Sequence, residues 1–258
     1  MTPDGWFPPF SLKERLRHSL IPAELQLRWR VRRALRRGEP ELALLSELVD
    51  SRRAAIDIGA NSGIWSWSLL RAAREVHAFE PNPKMFSRLK AALGGKAHLY
   101  TVALSDTAGE ADFIVPRTRR GYSNQHGSLS HMGAAGEHGI IKVKTCRLDD
   151  MDIRDVGFIK VDVEGFECAV LAGAAETTDA VAGDRSPDLS HRGCRNAPIC
   201  VQFCVPASGD LITTASAVLG GQAKQPRQLG INGPRPVQLR HCRQSLGPAF
   251  AARRGREA

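Results

Sequence analysis

Ala54–Ser68 reads A-A-I-D-I-G-A-N-S-G-I-W-S-W-S, and this stretch decides the fold. The apolar run Ala55–Ile58 predicts a buried strand. Gly59 and Gly63 bracket a loop, and a helix-compatible segment runs from Ile64 to about Arg74. Glycine lets backbone turn sharply and approach a ligand. Free N–H groups at a helix start favour anionic or polar ligand groups. The spacing is Asp57-x-Gly59-x-x-x-Gly63, which departs from the G-x-G-x-x-G dinucleotide pattern.

Outward from the loop, strands and helices alternate. Glu75–Glu80 reads as a second strand, Lys84–Leu93 as a helix and Ala97–Leu104 as a third strand. Such alternation predicts a parallel sheet with helices on both faces. Glu80 closes the second strand 23 positions after Asp57. An acid at that point can accept both hydroxyls of a ribose, because a carboxylate only accepts and takes two donors at once.

Beyond it, Ala111–Val115 and Lys142–Leu148 are expected strands. Between them lies a polar insertion, Pro116–Gly139, which carries His126 and His131 and falls where a lid over a substrate would sit. Phe158–Val163 is a near-continuous apolar strand interrupted by Lys160. It ends in Asp162 and Glu164, and Cys168–Thr177 follows as a helix. Acids at the carboxyl end of a sheet strand stand where open α/β sheets bind ligands.

The segments I-D-I-G-A-N-S-G at 56–63, H-A-F-E-P-N-P at 77–83, V-A-L-S-D at 102–106, L-D-D at 148–150 and I-K-V-D-V-E-G-F-E at 159–167 resemble the FkbM-type methyltransferase family. The resemblance covers about residues 50–178. It implies a Rossmann-like class I methyltransferase sheet and methyl transfer from S-adenosyl-L-methionine to an oxygen. The acceptors it implies are hydroxyls of sugars, glycolipids or natural products. Carried onto matching positions, Asp57, Gly59, Asn61 and Gly63 would hold the amino-acid end of the cofactor. Glu80 would hold the ribose, and Ser105 and Asp106 would lie by the adenine. Asp162 and Glu164 would face the reacting centre. With His126 or His131 they are the candidates for the base that takes the hydroxyl proton, histidine being suited by an ordinary pKa of about 6.5. A complete metal-ligand set is not visible at these acids.

Residues 1–50 form a helical extension. Ser11–Ser19 and Pro22–Arg37 read as helices, the second basic and amphipathic. Such a helix can lie on an anionic membrane surface; the reading preferred here packs Trp29 and Leu35 onto the domain.

Residues 179–258 read differently. They hold 7 Pro and 9 Gly in 80 residues, with no strand–helix alternation. A class I methyltransferase needs a further strand and then an antiparallel pair, so the sheet is expected to be incomplete, with Phe158–Val163 left as an edge. Two readings fit: a frame change in the coding sequence, or a natural irregular and basic tail. If the sheet is truncated, the chain could be a catalytically silent cofactor-binding protein.

The tail also carries most of the net charge. It has 11 Lys and Arg against 5 Asp and Glu, a net of +6, and the other 178 residues carry the remaining +3 of the overall +9. A basic groove around the site is not indicated, which points away from nucleic acid. No apolar run reaches spanning length. The first residues lack a signal-peptide layout, and a cytoplasmic location is the expectation. The six cysteines form no C-x-x-C pair, so idle thiols are expected rather than the Cys200–Cys204 zinc alternative.

Overall fold

The computed structural model describes residues 6, 8–37, 39–118, 121–122, 127–129, 137–183, 199–206 and 212–219. The helices are α1 (Leu12–Leu20), α2 (Ala23–Arg37), α3 (Leu45–Leu48), α4 (Ile64–Leu69), α5 (Pro83–Leu93), α6 (Glu167–Ala172) and α7 (Ala175–Gly183). The strands are β1 (Ala54–Ile58), β2 (Glu75–Phe79), β3 (His98–Tyr100), β4 (Ala103–Leu104), β5 (Gly109–Thr118), β6 (Gly121–Tyr122), β7 (His138–Cys146), β8 (Val156–Val161), β9 (Ile199–Pro206) and β10 (Ile212–Leu219). The main sheet has the order β10-β9-β8-β1-β2-β3, and β4-β7-β5-β6 form a second sheet.

In the main sheet β1 lies between β2 and β8, parallel to both. Each residue of β1 is buried, which explains its apolar residues; Asp57 is the one charged residue among them. The strand's period-2 alternation sends side chains to opposite faces. Ala55 joins Val76 and Phe158 beneath Trp65 and Leu69 of α4, with Leu42 and Leu45 before them. Ile56 and Ile58 join Phe79, Ile159 and Val161 over Val170 of α6 and Val181 of α7. Leu27 and Val31 of α2 pack with Leu89 and Leu93 of α5. Helices therefore cover both faces, as the alternation predicts.

The capping signals act locally. Ser11 and Glu14 form a reciprocal capping box at the start of α1. The Asn82 side chain accepts the Lys84 N–H at the start of α5, where Pro83 has no amide hydrogen to leave unpaired.

Four expectations change. The third strand divides: β3 pairs with β2, but β4 leaves the main sheet to pair with β7. The helix after the glycine loop is short: it ends at Leu69, whose carbonyl takes the N–H groups of both Ala72 and Ala73 in a turn, and the Arg74 N–H then goes to the Arg53 carbonyl. On α2 it is Leu27 and Val31 that are buried, at 0% and 8% exposure, while Trp29 and Leu35 are 62% and 46% exposed. Trp29 and Leu35 do not face the stripe that Leu27 and Val31 share at i, i+4. Finally, β8 is not an edge. β9 pairs parallel to it and β10 pairs antiparallel to β9. The short runs at 199–206 and 212–219 mix β-branched and small residues that suit a strand, and the open N–H and C=O row of β8 supplies the partner. Among the described residues one strand follows β9, where an antiparallel pair is expected.

No helix among the described residues is long and apolar enough to cross a membrane. Cys168 is disulfide-bonded, against the expectation of idle thiols, and Cys146 is free.

Candidate functional site

The carboxyl ends of β1, β2 and β8 open onto one cleft. Gly59 and Asn61 line it from the loop after β1, Glu80 and Asn82 from the turn after β2, and Asp162 and Glu164 from the turn after β8. Apolar walls come from Phe79, Met85, Leu104, Phe113, Leu129 and Phe166. About 680 Å³ of empty space lies within the cleft and its open mouth.

The loop is fastened to the end of β2. The N–H groups of Gly59 and Ala60 both donate to the Phe79 carbonyl, at 3.0 and 2.9 Å. Glu80 completes the attachment. Its Oε2 accepts the Asn61 N–H at 2.7 Å, and its Oε1 accepts the Asn82 N–H at 2.8 Å. Burial pushes the Glu80 carboxyl up to about 7, although these two N–H groups and Lys160 pull the other way. Each oxygen keeps a lone pair for a further donor.

Gly59 carries the closest approach in the site. Its φ is +75°, and a Cβ there would lie 1.9 Å from the backbone oxygen of Asp162. The neighbour is backbone and cannot swing aside. Gly59→Ala should cost at least about 3 kcal/mol from overlap and left-handed strain. The expected readout is a melting temperature at least about 6 °C lower. An alanine variant melting within about 2 °C of the parent would contradict this packing.

Asp57 acts behind the cleft. It is fully buried, and its Oδ2 accepts the Ser66 hydroxyl at 2.6 Å. Its Oδ1 lies 3.1 Å from Lys160 Nζ. The β1–β8 register sets Asp57 against Lys160. Lys160 also donates to the Gly59 carbonyl at 3.0 Å and lies 3.7 Å from Asp162 Oδ2. Burial pulls the pKa of its ammonium down, but Asp57 and then Asp162 raise it more, so it stands above the ordinary lysine value. The lysine thus links β1, the glycine loop and the acid of β8.

Glu164 is held at φ +52° with Gly165 at +90°. The Ser128 hydroxyl donates to the Glu164 carbonyl at 2.7 Å, and the Gly165 N–H donates to Glu167 Oε1 at 3.0 Å. Glu167 is 5% exposed, and burial raises its pKa.

Of the residues expected at the site, Gly59, Asn61, Glu80, Asp162 and Glu164 come together on the cleft. Asp57 stands behind it as the counterion of Lys160, and Gly63 begins α4. Ser105 and Asp106 do not line it; Val102, Ala103 and Leu104 do. The reason is packing at Gly173, where a Cβ would lie 1.8 Å from the Ser105 oxygen, so that segment runs under α6 and α7. His126 and His131 lie outside the described residues. Gly127 and Leu129, from the same insertion, line the cleft. Lys160, which pairs with Asp57 and donates to the Gly59 carbonyl, and Glu167, which accepts the Gly165 N–H, are residues that pattern reading passes over. The signal for Lys160 is a lone lysine in an otherwise apolar strand, which must be paired when buried.

The family model described as the methyltransferase FkbM domain matches residues 57–182. No curated protein matches the chain. Among solved structures, methyltransferase FkbM from Methylobacillus flagellatus KT is 15% identical with a TM-score of 0.40, over 70% of this chain and 44% of that one. SMU.1697c of Streptococcus mutans, solved in complex with SAH, is 22% identical with a TM-score of 0.24, over 25% of this chain and 39% of that one. An rRNA methylase from Streptococcus thermophilus is 9% identical with a TM-score of 0.36, over 64% and 69%. The chain thus spans less than half the length of the first two.

Proposed function

Because residues 57–182 match the family model described as the methyltransferase FkbM domain, we propose that this chain is an S-adenosyl-L-methionine-dependent O-methyltransferase acting on a hydroxyl of a sugar, glycolipid or natural product. The observation that carries the proposal is Glu80: a buried carboxylate on the cleft, fixed by two backbone N–H groups at the end of the strand after the glycine loop.

The residues present fit the cofactor. A carboxylate with free lone pairs suits a ribose diol, and the apolar walls suit a flat heteroaromatic ring. The Gly59–Asn61 backbone and Asp162 offer polar partners for an amino-acid end. When bound, the cofactor supplies a methyl group already activated on a sulfonium. The chain then has to align the acceptor oxygen and exclude water. Asp162 and Glu164 stand at the carboxyl end of β8 for the remaining task. As the acceptor oxygen forms its new bond, a carboxylate there takes the hydroxyl proton. His126, from the insertion, is the alternative base.

Binding should follow the state of Glu80. Its carboxyl is raised to about 7, so the protonated share falls as pH rises through that value. The stability contributed by protonated Glu80 is full below the ordinary carboxylate range and is lost as pH rises through about 7. Ribose recognition uses the ionised form and gains over the same window. S-adenosylhomocysteine affinity, read by isothermal titration, should therefore rise about tenfold from pH 6 to pH 8. Glu80→Gln should flatten that profile. An affinity that stays flat or falls in the parent chain would overturn the ribose assignment.

The second reading, a catalytically silent cofactor binder, is favoured by the composition of residues 179–258. Transfer of radiolabelled methyl to a hydroxylated acceptor excludes it. Sequencing the coding DNA at codons 176–195 tests the frame change behind it; a shifted frame that meets stop codons at once rejects that origin.

A further inference from the structure

A second groove lies where α1, α2 and α5 meet, and four arginines converge on it: Arg17, Arg30, Arg33 and Arg88. Arg30 is the most constrained. Its Nη2 donates to the Ser62 carbonyl at 3.4 Å, while its Nε is buried with no partner. Burial, and then the charges of Arg88 and Arg17, pull its pKa down to about 10. The pKa of Arg88 is lowered too, mainly by burial, with Glu14 opposing. Glu14 is the only carboxylate within ion-pair distance of any of the four among the described residues. It lies 3.5 Å from Arg88 and is shared with Lys84 at 3.1 Å. Residues 12–37 carry nine Lys and Arg against two Glu, a net of +7.

Like charges held together at a partly buried site are unfavourable unless an anion neutralises them. Guanidinium groups present paired donors that match a phosphate. The flank of the groove is apolar: Leu25 and Trp29 line it and are 52% and 62% exposed. Among the residues whose burial is described, the exposed large hydrophobic side chains all lie between Leu12 and Leu35. Leu12, Leu16 and Leu20 add a stripe at i, i+4, i+8 on α1, exposed by 74%, 53% and 77%. Cationic heads beside exposed leucine and tryptophan are the composition of an interfacial helix.

We propose that this groove is a binding site for a phosphate oxyanion, with an apolar flank suited to a phosphate carried on an amphiphile. Two sources share that chemistry, a lipid headgroup and a free phosphate. The site is separate from the Glu80 cleft, since none of its arginines lines that cleft. Its failure leaves the methyl-transfer reading untouched.

The test uses the full chain with two probes. One is vesicles of phosphatidylcholine with and without phosphatidylglycerol, read by sedimentation. The other is inorganic phosphate, read by Trp fluorescence. Arg33→Gln and Arg17→Gln are on exposed residues or helix surface, and Trp29→Ala removes the apolar flank. Melting curves check that each variant folds. If the anion belongs to a lipid, the phosphatidylglycerol vesicles bind, and each arginine change weakens binding about fivefold. Trp29→Ala then weakens it as well. If the anion is free, inorganic phosphate saturates the parent, both arginine variants lose that saturation, and vesicles are ignored. Either result supports the site. Arginine variants that leave both probes unchanged overturn it. So does an RNA oligonucleotide that binds more tightly than either probe, because the surface would then be a nucleic-acid contact.

Discussion

Glu80→Ala is expected to lower S-adenosylhomocysteine affinity about a hundredfold or more. The carboxylate would accept two ribose donors, and hydrogen bonds to a charged group contribute about 1.5–3 kcal/mol each. Losing about 3 kcal/mol is a factor of more than 100 in affinity. The change also releases the Asn61 and Asn82 N–H groups, which Glu80 holds at 2.7 and 2.8 Å. The loop after β1 therefore loses its attachment to the turn after β2. The effect on the fold itself is smaller, because burial already disfavours the ionised form of this group. Isothermal titration beside a thermal melt separates the two quantities. An alanine variant that melts like the parent and binds within about threefold would remove Glu80 from the ribose role.

Lys160→Met should produce the largest loss of stability. The lysine is 2% exposed and the facing Asp57 is fully buried. Methionine would fill the space and leave the Asp57 charge without its counterion. Removing one partner of a buried pair costs about 3–5 kcal/mol, which corresponds to about 6–20 °C in melting temperature for a domain of this size. The double change Asp57→Asn with Lys160→Met removes both charges and keeps an oxygen for the Ser66 hydroxyl. It should recover most of the loss. If Lys160→Met alone melts like the parent, or if the double variant is worse than the single, the pair does not hold β1 and β8 together.

What could be read from the sequence follows what is local. The β1 strand, the glycine loop and α5 depend on residues within a few positions, and they appear where the pattern puts them. The place of Glu80 on the cleft was legible because strand, turn and acid fall in one short segment. The roles of Asp57 and Lys160 were not, because they arise from a register between strands a hundred residues apart. Nor was the departure of β4 into a second sheet, since Ala97–Leu104 has one continuous strand-like composition. Ser105 and Asp106 moved off the cleft for a related reason: the close contact at Gly173 comes from distant chain. The faces of α2 were misjudged because Trp29 and Leu35 are as hydrophobic as Leu27 and Val31, and only packing distinguishes them. The C-terminal strands illustrate the converse. Their composition is weak, and it is the open edge of β8 that gives them a place.

The position of β1 between β2 and β8 also sets an order of events in folding. Its partners in β2 are 21 residues away, as in Ala54↔Glu75, but those in β8 are 102 or 103 away, as in Ala54↔Val156 and Asp57↔Lys160. Loop closure favours the near pairing first. During synthesis the half of the cleft bearing Glu80 can therefore assemble well before the half bearing Asp162 exists. At ordinary translation rates the interval is on the order of 5–20 s. Throughout it the apolar β1 strand offers an unpaired edge to whatever strand arrives first. A ribosome-bound chain stopped between Tyr100 and Val156 should thus be the species most in need of a chaperone.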